Sequence, residues 1–232
     1  MNPTVSVVIP VFNGEKYIRE SLESVLTQTL KPAQVIVVDD GSTDRTADIV
    51  AATNRSIVYL RQSQAGPAAA RNLGVEAASG KYLAFIDSDD LWLPDKLARQ
   101  VDYLSSHPET AMVFGMTKHF YSPETDDDFR KQYACPEEIL PGRHPGAMLL
   151  KKETFLNVGP FDGTLKMGEF IEWQARAKAL QLASHVQPDI VMLRRVHPSN
   201  YGITHKDRRK DYLTIVKGML AKKKGVHTNE AS

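Results

Sequence analysis

Residues 5–44 read VSVVIPVFNGEKYIRESLESVLTQTLKPAQVIVVDDGSTD. Their pattern decides the fold. Residues 5–11 and 34–39 are continuous apolar, β-branched runs of the kind found in strands covered on both faces. Between them Tyr17, Ile18, Leu22, Val25 and Leu26 recur at helical spacing and predict a helix over 15–28.

The same rhythm continues outward. A short helix is expected over 42–52, with Ser42 or Thr43 as its cap, and a third strand over 56–60. An Ala-rich helix follows over 66–78, closed by Gly80, then a fourth strand over 82–86. Pro94 sits in the tolerated first turn of a helix that ends near Ser106, before Pro108. Strand and helix alternating four times predict a mostly parallel sheet with right-handed crossovers and helices on both faces. After residue 110 the pattern loosens. It reads as a strand over 111–120, a polar loop or hairpin over 121–142, a strand over 147–150 and helices over 152–158 and 168–180. One or two strands over 185–196 and a final helix over 206–224 complete it. The fold class is α/β, as one domain over 1–205 with a nucleotide-type half (1–107) and a less regular half (108–205). A basic helix and tail (206–232) follow.

Composition narrows the function. The chain has 232 residues, 42% hydrophobic and 25% charged, which excludes disordered and low-complexity classes. A single cysteine, Cys135, allows no internal disulfide, so a reducing cytosol is the expected setting. The first residues have no basic, apolar leader pattern, and no run reaches the eighteen or so apolar residues of a membrane span. Charge is unevenly placed: residues 206–224 hold eight Lys or Arg against Asp207 and Asp211, so the rest of the chain is net negative and a poor match for nucleic acid.

Ligands of open α/β sheets bind beyond the carboxyl ends of the strands. The residues there are Pro10, Phe12, Asn13 and Glu15 after the first strand, Asp39-Asp40-Gly41-Ser42-Thr43-Asp44 after the second, and Asp87-Ser88-Asp89-Asp90 after the fourth. Carboxylates this close repel unless a cation or ligand hydroxyls relieve them. Read alone, DDGSTD is also a helix-capping turn, and DSDD a solvated one. The first turn has only Gly14 and no G-x-G-x-x-G cradle, which disfavours a dehydrogenase. A nucleotide diphosphate would then need its charge neutralised by a metal on Asp87 and Asp89; Mg²⁺ or Mn²⁺ on carboxylates and phosphates suits that role.

Residues 4–98 resemble inverting glycosyltransferases of family 2, with the GT-A fold. The resemblance rests on VSVVIPVFNGEKYIRESLESVLTQT, VIVVDDGSTDRT, GPAAARNLGVEAASGKYLAFIDSDD and LWLPDKL, in that order, and continues more loosely to about residue 205 through PGAMLLKKETFLNVGPFD, GEFIEW and RRVHPSN. It implies that Pro10, Phe12 and Glu15 line a nucleoside pocket and that Asp40, helped by Asp39, holds the base or ribose. It further implies that Arg71 lies near the diphosphate. Asp87 and Asp89 would be the DxD pair, with Asp89 the direct ligand of Mn²⁺ or Mg²⁺, Asp87 nearer the ribose, and His197 approaching the metal or diphosphate. The implied activity moves a sugar, expected to be uridine-linked, to a saccharide, lipid-linked or peptide acceptor. Such chemistry belongs to bacterial-type surface glycan synthesis.

The general base is less direct. The family's usual Glu-Asp reads Glu169-Phe170 here, so Glu169 is expected as base and Glu172, one turn on, as the reserve. Both also suit the positive end of a helix without any catalytic role. Phe170 and Trp173 are expected to form an apolar wall for a sugar ring. In the terminal helix Tyr212, Val216, Met219 and Leu220 make one stripe between basic ends. That stripe reads foremost as a packed helix, alternatively as a peripheral contact with anionic lipid at the inner face of the membrane. Two other readings stand beside the transferase: a non-catalytic sugar-nucleotide binder, motivated by Phe170, and a nucleotidyltransferase, weakened by a first turn that offers only Lys16 to a triphosphate.

Overall fold

The computed structural model describes residues 4–165 and 167–205. The apolar runs form β1 (Val5–Val11), β2 (Gln34–Asp39), β3 (Val58–Arg61) and β4 (Tyr82–Phe85), alternating with α1 (Ile18–Leu26), α2 (Thr46–Thr53) and α3 (Pro67–Ala77). Then come β5 (Leu91–Trp92), α4 (Lys96–Ser106), β6 (Thr110–Tyr121), α5 (Asp127–Gln132), β7 (Leu140–Pro141), β8 (Met148–Lys151), α6 (Lys152–Val158), α7 (Glu169–Ala179), β9 (Ala183–Val196) and α8 (Tyr201–Thr204). Among the described residues the strands form one sheet in the order β3-β2-β1-β4-β8-β6-β9-β5, with β7 on β6. The pairings run β1–β4, β6 and β9 in one direction and β5, β7 and β8 in the other, so the sheet is mixed and mostly parallel.

The strand period of two divides the core between the faces. Val5, Val7, Ile9 and Val11 of β1 pack with Ile18, Leu22 and Val25 of α1 and with Leu97, Val101 and Leu104 of α4. Val8 faces the other way, with Ala68, Ala70 and Val75 of α3 and Phe170, Trp173 and Ala177 of α7. Small residues let α3 approach β1: a Cβ built on Gly74 would lie 2.3 Å from Val8 Cγ1.

Three local expectations are corrected. The first helix starts at Ile18 rather than near Glu15, because Gly14 O accepts the N–H groups of Tyr17 and Ile18 and closes a turn first. Neither Ser42 nor Thr43 caps α2, which begins at Thr46; Asp44 Oδ1 takes the Thr46 N–H at 3.0 Å instead. Of the loop or hairpin expected over 121–142 the hairpin is found, with β7 antiparallel to β6, but its connection holds the unanticipated helix α5, capped by Asp126 through the Phe129 N–H. The segment ending at Val196 is a single fourteen-residue strand, one of the two forms anticipated. No helix among the described residues is long and apolar enough to cross a membrane. The expected helix over 206–224, with its packed and lipid readings, lies outside the described residues.

Gly74→Ala tests the contact between α3 and β1. Overpacking costs roughly 1–3 kcal/mol and outweighs the ~1 kcal/mol that Ala gains over Gly in a helix, so the denaturant midpoint should fall. Val8→Ala in the same background should recover part of that loss; additive losses would show that the two residues do not meet.

Candidate active site

The strand ends converge as the sheet topology requires. The order 3-2-1-4 reverses direction between β1 and β4, and the crevice at such a reversal lies at the carboxyl ends of those strands. The turns after β1, β2 and β4 meet there.

The first two turns are laced to each other. Asn13 N–H donates to Ser42 Oγ at 2.8 Å, Gly14 N–H to Thr46 Oγ1 at 2.9 Å and Glu15 N–H to Asp44 Oδ2 at 2.9 Å. In return Asn13 Oδ1 accepts the Thr43 N–H at 2.8 Å, with Asn13 at φ +50°, a left-handed value that Asn tolerates. The polar residues of DDGSTD therefore satisfy backbone groups. Asp39 is fully buried, accepting from Ser42 N–H at 2.7 Å and from the Tyr59 hydroxyl. Asp40, also buried, accepts Gln62 Nε2 at 2.6 Å and the N–H groups of Ala65 and Gly66 at 2.8 Å each, which fixes the loop entering α3. Glu15 is exposed and holds Arg45 through both its N–H and its Nε. Pro10 is a buried β1 residue opposite Val38, whereas Phe12 is 45% exposed beside the crevice.

The turn after β4 is differently employed. Arg71 of α3 is buried between two carboxylates, with Nη2 2.7 Å from Asp87 Oδ1 and Nη1 2.8 Å from Glu169 Oε1. Burial alone would raise the Asp87 pKa; the Arg71 charge and hydrogen bond, with Arg194 beyond, hold it below the ordinary carboxylate value. Glu169 opens α7, and its Oε2 has no hydrogen-bond partner among the described residues. The geometry thus gives Arg71 two carboxylates as partners. Glu172 grips Arg176 at 2.9 and 3.0 Å, and Arg176 reaches the carbonyls of Val158 and Pro160, so Glu172 serves the connection into α7. The expected sugar-stacking wall is not present. Phe170 and Trp173 are core residues, stacked on each other and packed on Phe161, and Trp173 Nε1 donates to Gly159 O.

Asp89 is held from the far end of β9. Its Oδ2 lies 2.9 Å from His197 Nε2 and 3.0 Å from Asn200 Nδ2, while Asn200 Oδ1 accepts the His197 N–H at 2.7 Å. His197 Nδ1 lies 2.8 Å from Ser199 Oγ. The Asp89 carboxylate only accepts, so Nε2 carries the proton it donates there, and Nδ1 of the neutral ring accepts from the Ser199 hydroxyl. Arg195 staples the same turn: its N–H donates to Asp90 Oδ1, its Nε to Asp89 O and its Nη2 to Glu20 Oε2, with the guanidinium between the rings of Tyr17 and Phe120. Burial, then the Asp89 and Asp87 charges, push the Asp90 carboxyl well above the usual range. Sequence reading found His197 in RRVHPSN and missed Ser199, Asn200 and Arg195. A short polar turn after a strand was the available signal.

Among the described residues no three His, Cys, Asp or Glu side chains are grouped to hold a metal by themselves. Asp89 and His197 offer an oxygen and a nitrogen in contact, and Asp89 Oδ1 has no hydrogen-bond partner among the described residues. A partial donor set of this kind fits an ion that takes its remaining ligands from substrate phosphates and water.

The match to the family of glycosyl transferases known as family 2 spans residues 6–167. The chain belongs to glycosyltransferase family 2. It is 27% identical over 236 residues to an uncharacterized glycosyltransferase of Rickettsia typhi, an alignment covering 95% of this chain and 73% of the relative. It is 36% identical over 142 residues to TuaG of Bacillus subtilis, described as a putative teichuronic acid biosynthesis glycosyltransferase, covering 59% and 55%. In structure it resembles S. aureus TarS, residues 1–349, solved with UDP-GlcNAc, at a TM-score of 0.70 and 23% identity over 87% of this chain and 61% of that one. The likeness establishes the shared GT-A fold.

Asp40→Ala should destabilise the family 2 domain without any nucleotide present. It strands two backbone N–H groups and an amide, at about 1–3 kcal/mol. Urea unfolding measures this, and an unchanged midpoint would show that Asp40 does not brace the loop entering α3.

Proposed function

We propose that the chain transfers a sugar from a UDP-linked donor to an acceptor hydroxyl, with inversion and with Mn²⁺ or Mg²⁺, in the synthesis of a surface glycan. The observation that carries this reading is the pair of contact groups, His197–Asp89 and Asp87–Arg71–Glu169, that meet on the one turn after β4 at the carboxyl edge of the sheet. TarS, of the same fold, has been solved with UDP as well as with UDP-GlcNAc, and the name of TuaG points to cell-surface polymers. A nucleotidyltransferase draws no support from the family match.

In this reading Phe12 stacks on the nucleobase, and the turns braced through Asp39 and Asp40 shape the nucleoside pocket. Asp89 and His197 hold the cation, whose positive charge stabilises the diphosphate as it leaves. Asp87, oriented by Arg71, faces the donor's sugar side. The acceptor oxygen attacks the anomeric carbon as the carbon–oxygen bond to the diphosphate breaks. Glu169 takes the hydroxyl proton through Oε2, the oxygen that Arg71 leaves uncommitted. Attack opposite the leaving group inverts the anomeric centre.

UDP release from UDP-GlcNAc, supplied with Mn²⁺ and a mixture of saccharide acceptors, tests the proposal. Asp89→Ala should lower turnover about 10²–10³-fold with the fold retained, its melting point lowered because His197 and Asn200 lose their acceptor. Turnover that survives EDTA would refute the metal role. Glu169→Gln should keep UDP affinity and lose about 10²–10⁴-fold in transfer; a near-normal rate would remove it as base. Phe170 motivates a second reading, a protein that binds UDP-GlcNAc without turning it over. Binding with neither hydrolysis nor transfer would select it.

A further inference from the structure

Arg194 stands at the same edge with no hydrogen-bond or ion-pair partner among the described residues. Its neighbour Arg195 turns toward α1, between Tyr17 and its register partner Phe120. By strand alternation Arg194, in register with His119 of β6, faces the other side of the sheet. There its charge acts on Asp87 and Asp90 and on His119 and His144. Arg194 is exposed and makes no hydrogen bond or ion pair with a described residue, although Asp87 is within its field. Asp87 is already held by Arg71.

Asp87, the carboxylate in the field of Arg194, makes its direct ion pair with Arg71, and the imidazoles that face Arg194 offer it no counter-charge. His144 bonds Thr117 Oγ1 at 3.0 Å, and burial followed by the Arg194 charge lowers its pKa to about 3. Burial and the same guanidinium lower His119 as well, and its shielded Nδ1 finds no hydrogen-bond partner. At neutral pH the wall is therefore a guanidinium beside two uncharged imidazoles. A guanidinium offers a rigid fork of donors suited to phosphate or carboxylate. Donor phosphates, in the reading above, lie at Asp89 and His197. Arg194 lies on the β6–β9 wall, in register with His119, and its charge reaches Asp87, one end of the bridge at which, in that reading, the acceptor hydroxyl enters.

Resting on the transferase reading, we propose that Arg194 binds an anionic group of the acceptor, so that the acceptor is a phosphorylated or carboxylated polyol or saccharide rather than a neutral one. Calorimetric titration of the protein loaded with UDP and Mn²⁺ tests this, using glycerol 3-phosphate, glycerate and glycerol as probes. At least one anion should bind about tenfold or more tighter than glycerol, and the tighter of the two identifies the group. Arg194→Met should retain UDP affinity and bind all three probes equally, while Arg194→Lys keeps part of the preference. Equal affinity for the three probes in the wild type would overturn the inference and leave the transferase reading standing. So would an anion preference that survives Arg194→Met, since the metal or another cation would then be its source. Failure of UDP and Mn²⁺ to bind at all would overturn both.

Discussion

A buried guanidinium shared by two carboxylates joins the two halves of this domain. Arg71 comes from α3, Asp87 from the end of β4 and Glu169 from the start of α7, so the bridge fixes α7 against the edge of the sheet. Burial disfavours the Arg71 charge, and the two carboxylates more than offset that cost. Such a site is asymmetric. Its net stabilisation is modest, yet deleting one partner from a fully buried pair costs about 3–5 kcal/mol, because an uncompensated charge remains. The Asp87 side chain is 40% exposed, which places its share of the bridge below that range. The next residue continues the clamp: Asn72 donates to Phe161 O at 2.8 Å and accepts the Phe161 N–H at 2.9 Å. With the connection before α7 tied at Phe161 and its first turn tied at Glu169, Phe170 and Trp173 have one direction to face, into the core.

Two acidic turns that look alike in sequence do different work. The turn after β2 spends its carboxylates on backbone N–H groups and neighbouring side chains, as buried acceptors must. The turn after β4 keeps oxygens in reserve on Asp87 and Asp89, because the groups that hold it arrive from α3, β9 and the turn after β9. One turn makes the scaffold and the other presents chemistry. Composition does not separate DDGSTD from DSDD; only the supply of donors around each one does.

That contrast explains what could be read from the sequence. Strand and helix periodicity is local, so β1 to β4 and α1 to α4 follow from the apolar spacing, whereas the two-residue β5, which exists through its pairing with β9, does not; the position of the crevice follows from the strand order. The positions of Asp87 and Asp89 at that edge were legible in the same way, whereas Glu169 and His197 were placed there only by the family resemblance. Side-chain partners were not. Asp89 meets His197 across 108 residues and Arg71 meets Glu169 across 98, and no local pattern encodes such pairs. Arg195 shows this most sharply: adjacent to Arg194 and identical in type, it is a buried staple while its neighbour is exposed. Strand alternation at the end of β9 makes that difference.

Phe170 can now be reconciled with transfer chemistry. The residue is buried against Phe114, Phe161 and Trp173, so a carboxylate there would meet an apolar core rather than a substrate. In the transferase reading the base is then the residue before it, whose side chain meets Arg71 from the first position of α7. Arg71 divides its guanidinium between two carboxylates and holds Glu169 through Oε1, which leaves Oε2 without a hydrogen-bond partner among the described residues. In the transferase reading an anionic acceptor drawn toward Arg194 would deliver its hydroxyl beside that oxygen.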